Sequence, residues 1–346
     1  MARRRSDPKD LPLVRAVAFY NPMAPPLVPR VLIDALPQLL ENIRVFPGYG
    51  MFSGPTPYQR IGAALTNLSM VYTNLGKAQY IPQPDFTDPA FQCAYVFQYL
   101  VKHCHLVYQI LWKTLPISIA RIWLQRGVNV CSIGGGPGTD IIGVLVFLRS
   151  MGSYLGYPEN TGRVMGYVLD QYGAWESTWS SLRSNNATLR DSQIYCSYIT
   201  CDLLDELPTA ATEDEIRQAD LVTMIKSLSA FQMFLKDGRD IRHCAVTKLL
   251  RQLRRGAFVL FIDNKDEMSR RIFYTGYRSQ NRIFLEDMAA PAGLRIVGEW
   301  HGKTTTRLEW DHHRCLMVQL KQFQLNDWKV PGLRTCDVSA FLLQKQ

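Results

Sequence analysis

No Cys-x-x-Cys pair occurs in this sequence, although it holds eight cysteines, at 93, 104, 131, 196, 201, 244, 315 and 336. Scattered single thiols exclude a zinc ribbon and a disulfide framework, and they point to an intracellular, reducing setting, cytoplasmic or nuclear. Long apolar runs are lacking too. The run from Ile141 to Leu148 stops at Arg149, far short of the roughly 20 residues that span a bilayer, so no membrane segment is expected. The opening MARRRSDPKD is basic, but no apolar stretch follows it. It therefore reads as a solvated end or a nuclear address rather than a secretory signal. Internal repeats and low-complexity tracts are absent. The clusters His103-Cys104-His105 and Asp311-His312-His313-Arg314-Cys315 point adjacent side chains in different directions, so neither makes a chelating face and no metal is expected.

What the chain does have is apolar mass and basic charge. With 47% apolar and 20% charged residues over 346 positions, it can bury a large core, as one domain or as a core plus an extension. The net charge of +9 is uneven. Residues 1–127 hold 13 Lys and Arg against 6 Asp and Glu, and residues 128–346 hold 26 against 24. A basic segment beside a near-neutral core suits an RNA-facing appendage, because phosphate attraction dominates nucleic-acid affinity. A solubilising surface with no partner is the alternative, and the oligomeric state is open.

Residues 1–60 are proline-rich and broken by turns, with one helix expected over Leu27 to Asn42. Further helices are expected over 56–76, from Pro89 to Trp112 behind an Asp88-Pro89 start, and from Ile117 to Gln125. Tyr95, Tyr99 and Tyr108 are spaced for packing. From 128 onward strands alternate with helices: VNVCSI (128–133), RVMGYVLD (163–170), IYCSYITCD (194–202), a fourth within 219–231, and AFVLFIDN (257–264). LRIVGEWHGK and RCLMVQLKQF follow, joined by TTTRLEWDHH with no room for a crossover helix, so they are expected to pair as an antiparallel hairpin. The fold class is thus α/β: a doubly wound, Rossmann-like sheet of about seven strands with one antiparallel strand, preceded by a mostly helical N-terminal region. The organisation expected is an accessory or lid region over 1–127, a core domain over 128–325 and a C-terminal tail over 326–346.

The stretch that carries chemistry is GGGPGTD, between the first strand and the helix after it. A phosphate-binding loop would need a lysine that is missing here. A dinucleotide fingerprint would put Thr139 at its third glycine, where a Cβ crowds helix against strand. The pattern GxGxG is met by Gly134, Gly136 and Gly138, with Gly135 between them.

With Asp170 ending the second strand, Asp202 after the third and a reversed hairpin at the end, residues 128–320 resemble the class I S-adenosylmethionine-dependent methyltransferase superfamily. The resemblance implies S-adenosylmethionine as cofactor and methyl transfer as activity. The glycines would admit the methionine portion of the cofactor close to the backbone. Asp170 would accept from both ribose hydroxyls, a diol suiting a carboxylate, with Gln171 and Tyr172 flanking the adenosine. Asp202 would accept from the adenine amino group while Leu203 packs on the ring, and Ser227 joins the cofactor set. Where the family usually has an acid two residues before the first glycine, this chain has Ser132. Asp140, in the first turn of the next helix, could supply that charge or could be an ordinary helix-start acid.

On the acceptor side, the place where amino-group methyltransferases carry Asp/Asn-Pro-Pro-Tyr/Phe reads MIKSLSAF. Adenine-N6 and glutamine chemistry is disfavoured, and no Pro-Cys pair is there for cytosine C5. Asp263 and Asn264, ending the fifth strand, are candidates for acceptor positioning, and Lys226 could stabilise a deprotonated acceptor such as a uridine imide or a hydroxyl. Tyr274 and Phe231 could stack on a base. GGGPG preceded by serine faintly resembles eukaryotic ribosomal RNA base methyltransferases. RNA is therefore the first acceptor expected, through the basic N-terminal region. A protein or small-molecule acceptor under an N-terminal lid, and a non-catalytic cofactor-binding sensor or scaffold, are the alternatives.

Overall fold

A computed structural model describes residues 24–46, 56–73, 83–158, 162–205, 207–234, 240–265, 279–322, 325 and 334–346. The basic start of the chain and Tyr274 lie outside these residues.

Four helices come first: α1 (Leu27–Val45), α2 (Pro57–Thr73), α3 (Pro89–Thr114) and α4 (Ile117–Arg126). Then follow β1 (Val128–Ile133), α5 (Thr139–Leu155), β2 (Val164–Asp170), α6 (Trp175–Asn185), α7 (Ala187–Asp191) and β3 (Ile194–Thr200). After these come α8 (Ala210–Gln218), β4 (Leu221–Ile225), α9 (Ser227–Phe234), α10 (Ala245–Arg251) and β5 (Phe258–Asn264). The chain closes with α11 (Gln280–Ile283), β6 (Leu294–Thr306), α12 (Trp310–Gln322) and β7 (Arg334–Lys345).

The seven strands form one sheet in the order β3-β2-β1-β4-β5-β7-β6. β1 to β5 are parallel, and β7 runs antiparallel to both β5 and β6. The expected doubly wound sheet with one reversed strand is therefore present. Its central strands alternate by twos between two cores, as pleating requires. Phe258, Leu260 and Ile262 of β5 face the core shared with α1 to α6, while Val259 and Phe261 face the one shared with α8 to α11.

One expectation is corrected. Residues 314–322 of the stretch read as the last strand belong to α12, and the partner of β6 is β7, inside the stretch read as a tail. Within α12 the buried residues are Leu316 and Leu320, one helical turn apart, whereas Met317 and Val318 are exposed. In β7, residues 338–343 are all buried because strands flank it on both sides. A doubly covered strand shows a continuous apolar run rather than alternation, so period gives no signal there.

The N-terminal helices are built into the main core. α3 lies along α5, and α1 along α3 and α6. Contact between α3 and α5 is close enough that a methyl on Gly143 would come 2.8 Å from Val107 Cβ and 2.9 Å from the Cys104 carbonyl oxygen. Asp88 caps α3 by accepting from the Ala90 amide at 2.7 Å, and its carboxylate also receives Arg60 of α2 at 2.7 and 2.8 Å. This pair fixes α2 against α3, and both helices reach the site described next.

Candidate functional site

In a doubly wound sheet the loops leaving two neighbouring strands diverge where the winding reverses, and a crevice opens there at the carboxyl ends. Here that point lies between β1 and β4. A cleft of about 900 Å³, counting the space that opens to solvent, occupies it.

The glycine loop forms its floor. Gly134, Gly136 and Gly138 have φ of 63°, 52° and 73°, in the left-handed region that side chains disfavour. Gly134 and Gly136 line the cleft, and a methyl on either would meet no atom closer than 3.4 Å. A side chain there would already touch Ser227 and Phe231 at Gly134, or Trp175 and Tyr95 at Gly136, so bare backbone is what leaves the cleft its width at these positions. Gly135 and Gly138 face inward instead. A methyl on Gly135 would sit 1.8 Å from Ser132 Oγ, and one on Gly138 would sit 3.2 Å from Trp179.

Ser132 and Asp140 do not line the cleft. Ser132 Oγ donates to Asp140 Oδ2 at 2.5 Å, Thr223 Oγ1 of β4 donates to the same oxygen, and the Ile141 amide donates to Oδ1 at 3.0 Å. Burial raises the Asp140 pKa, and the hydroxyls of Ser132 and Thr223 pull it back. The knot braces the loop from beneath, joining β1, β4 and α5, and its carboxylate points away from the ligand space.

Asp170 does both jobs. Its Oδ2 accepts from the Gly136 amide and its Oδ1 from the Tyr172 amide, each at 3.0 Å, so it holds the loop while lining the cleft. Burial pushes its pKa up to about 6 against the opposing pull of those backbone donors. Gln171, Tyr172, Asp202 and Leu203 line the same side. Asp202 is exposed and its Oδ1 accepts from the Leu204 amide at 2.9 Å, closing the turn after β3.

Across the cleft, between β4 and α9, stand Lys226 and Ser227. Among the described residues Lys226 is the non-glycine with positive φ, at 60°. Its amide donates to the Ile262 carbonyl at 2.8 Å, and Nζ donates to Asn264 Oδ1 at 2.5 Å. Ser227 Oγ is buried and, among the described residues, has no hydrogen-bond partner. An unpaired buried hydroxyl on a cleft wall marks a place for a ligand's polar group. Asp263 lies behind this wall, fully buried, accepting from the Ser229 amide at 3.1 Å and the Asn264 amide at 2.7 Å. Its burial raises its pKa, with Lys226 lowering it. Asn264 is exposed beside Lys226.

The structure thus brings Gly134, Gly136, Asp170, Gln171, Asp202, Leu203, Lys226 and Ser227 to one cleft. Ser132, Gly135, Gly138, Asp140 and Asp263 stand behind it as supports, and Asn264 joins it through Lys226. Sequence reasoning passed over Tyr72 of α2, Phe86 and Trp175 of α6 in the wall that faces the loop, and it read Tyr95 of α3 as packing; Phe231 of α9, read as a base-stacking candidate, stands beside Gly134. A signal was present in α3, where Tyr95, Tyr99 and His103 recur every four residues. The structure packs these rings in succession, at 5.0 Å for Tyr95 and Tyr99 and 5.4 Å for Tyr99 and His103.

No protein-family model and no curated protein sequence matches the chain. Solved structures similar to it include a proposed RNA methyltransferase from Pyrococcus horikoshii, with 11% identity and a TM-score of 0.36 over 84% of this chain and 98% of that one. Another is a SAM-dependent methyltransferase from Methanosarcina mazei, with 10% identity and a TM-score of 0.37 over 66% and 96%. A third is a precorrin-6y C5,15-methyltransferase from Geobacter metallireducens, with 11% identity and a TM-score of 0.33 over 66% and 87%. Likeness at this level carries no residue roles. The fold is read from the strands themselves: five parallel, β7 reversed between β5 and β6, and the glycine loop at the switch point. That arrangement is the doubly wound sheet with one reversed strand that the resemblance to class I S-adenosylmethionine-dependent methyltransferases implies.

Proposed function

We propose that the chain is a methyltransferase that binds S-adenosylmethionine in this cleft and methylates RNA. The observation that carries the cofactor reading is the loop itself. Gly134 and Gly136 present bare backbone to the cleft beside the Asp170 carboxylate, and Ser227 Oγ on the opposite wall has no hydrogen-bond partner among the described residues.

When bound, the cofactor supplies a methyl group on a sulfonium whose departure leaves a neutral thioether. Asp170 accepts from the ribose hydroxyls, and it is already oriented by two amides. Asp202 and Leu203 bound the adenine end. Ser227 takes a polar group of ligand or acceptor. Lys226, held by Asn264, supplies positive charge where a deprotonated acceptor oxygen or nitrogen would lie, lowering the cost of removing its proton. The remaining requirement is alignment, which the rigid cleft walls provide.

RNA is favoured as acceptor by the excess of 13 basic over 6 acidic residues before position 128. A small-molecule acceptor is the second reading. It is favoured by the way Val71 and Tyr72 of α2 and Tyr95 of α3 enclose the cleft, as a lid region would.

The test is transfer of radiolabelled methyl from S-adenosylmethionine into an extract of cells lacking the protein, fractionated into RNA, protein and small molecules, with Asp170→Ala as control. Label in RNA that is lost with Asp170→Ala is the expected outcome. Label in the small-molecule fraction replaces RNA by the second reading. Cofactor binding with no label in any fraction leaves a sensor or scaffold and removes the enzyme.

A further inference from the structure

Charge is distributed unevenly around the cleft. Its carboxylates among the described residues, Asp170 and Asp202, sit at the ends of β2 and β3. On the β1 and β4 side the charged lining group is Lys226, a cation. The two further acids near the loop are turned away. Asp140 is tied to Ser132, Thr223 and Ile141, and Asp263 to Ser229 and Asn264, and neither lines the cleft. A positively charged ligand group over the glycine loop therefore has Asp170, already held by the Gly136 and Tyr172 amides, at one edge and Lys226 at the other.

Between these two edges the wall is aromatic. Measured from where a methyl on Gly136 would be, Trp175 Cε2 lies at 3.6 Å and Tyr95 Cε1 at 3.8 Å. The Tyr95 and Trp175 ring centres are 5.4 Å apart. Phe86 is 4.8 Å from Trp175 and 5.5 Å from Tyr95, and Tyr72 is 6.5 Å from Tyr95. Two of these rings, Tyr95 and Trp175, border the loop, and Phe86 and Tyr72 extend the same wall of the cleft. The π face of each carries partial negative charge, and tyrosine and tryptophan are the stronger cation binders. Sequestered from bulk water, such a surface attracts a diffuse cation without the desolvation cost of burying a carboxylate.

Resting on the cofactor reading above, we propose that Tyr72, Phe86, Tyr95 and Trp175 form a cation-recognising wall for the sulfonium of S-adenosylmethionine. The wall distinguishes the charged cofactor from its neutral product, S-adenosylhomocysteine. Transfer of the methyl group leaves the bonding pair on sulfur and abolishes the charge, so the wall loses its attraction once the reaction is complete. A functional consequence is weak product inhibition.

The experiment is calorimetric titration of the full-length protein with each of the two ligands, for the unaltered chain, Tyr95→Phe and Tyr95→Leu. The unaltered protein is expected to bind the sulfonium ligand about fivefold or more tighter than the thioether. Tyr95→Phe keeps that ratio, because the ring face remains. Tyr95→Leu cuts sulfonium affinity about fivefold and leaves thioether affinity within about twofold. Equal affinities in the unaltered chain, or an equal loss for both ligands in Tyr95→Leu, overturns the wall. Failure of either ligand to bind the unaltered chain removes the cofactor reading itself, a separate result. If Tyr95→Leu does not fold, Tyr72→Leu reads the same ratio, with a smaller loss in the same direction.

Discussion

At the scale of single residues, Asp170 links the fold to the proposed chemistry through its proton. Its pKa in the folded protein is about 6 because burial penalises the charged form, above the ordinary aspartate value of 3.8. Between these two values the folded state binds more protons than the unfolded one, so this group's contribution to stability falls as pH rises through that window. Cofactor binding runs the other way, because the ribose hydroxyls need an ionised acceptor. Affinity for S-adenosylmethionine is expected to drop several-fold from pH 7.5 to 5.5. Asp170→Asn should abolish that dependence, lower affinity throughout, and leave thermal stability at pH 7.5 equal or higher. Titration at several pH values and a melt of each protein check both signs.

Lys226 is a second case in which stability and activity separate. A left-handed φ of 60° costs a side-chain-bearing residue on the order of 1–2 kcal/mol, and glycine adopts it freely. Lys226→Gly is expected to raise stability by about 0.5–1 kcal/mol, after glycine's larger unfolded-state entropy is subtracted. Methyl transfer should collapse while cofactor affinity holds. Denaturant unfolding and single-turnover transfer test the pair, and a destabilised variant that keeps full transfer refutes it. Gly135 gives the opposite extreme. Since a methyl there would lie 1.8 Å from Ser132 Oγ, Gly135→Ala should cost about 2–4 kcal/mol by forcing the loop off β1.

At the scale of elements, the α2–α3 junction positions the aromatic wall. Asp88 serves as helix cap and as the bidentate partner of the buried Arg60. Asp88→Ala removes a cap worth about 1 kcal/mol and disrupts a half-buried ion pair, and together these should lower stability by about 2–3 kcal/mol. Asp88→Asn keeps a capping oxygen and should recover the cap but not the full pair. Chemical unfolding of the two variants separates the contributions. The same junction was readable beforehand: Asp-Pro before an apolar run marks a helix start, and α3 begins at Pro89. Its ion pair was not readable, because 28 residues separate the partners.

At the scale of the whole molecule, β7 is the element whose loss should be fatal. It lies between β5 and β6, paired along Phe258–Asn264 on one side and Leu294–Thr306 on the other. Removing residues 334–346 would strip both neighbours of their ladders and open the core around Phe341, Val338 and Leu342. Such a chain is expected to show no cooperative thermal transition by circular dichroism; a cooperative melt near that of the full chain would contradict the sheet order. The N-terminal helices are part of the same economy of contacts. Val107, Ile110 and Leu111 of α3 are fully buried in the core that also holds Val130 and Ile142.

By itself the sequence determined the parallel half of the sheet, the glycine loop and the acids at the ends of β2 and β3. In these places local pattern and final environment coincide: a buried strand is an apolar run, and a left-handed turn needs glycine. Tertiary structure alone decided the rest. Whether Asp140 offers its charge to a ligand or spends its oxygens on Ser132 and Thr223 depends on how β1, β4 and α5 meet, 83 residues apart for one of those bonds. Whether Tyr95 is core or cleft wall depends on α3 lying beside Gly136, which helical spacing cannot reveal. Which of two apolar stretches became the seventh strand depended on the gap between β5 and β6, a vacancy that exists only once the other strands are in place.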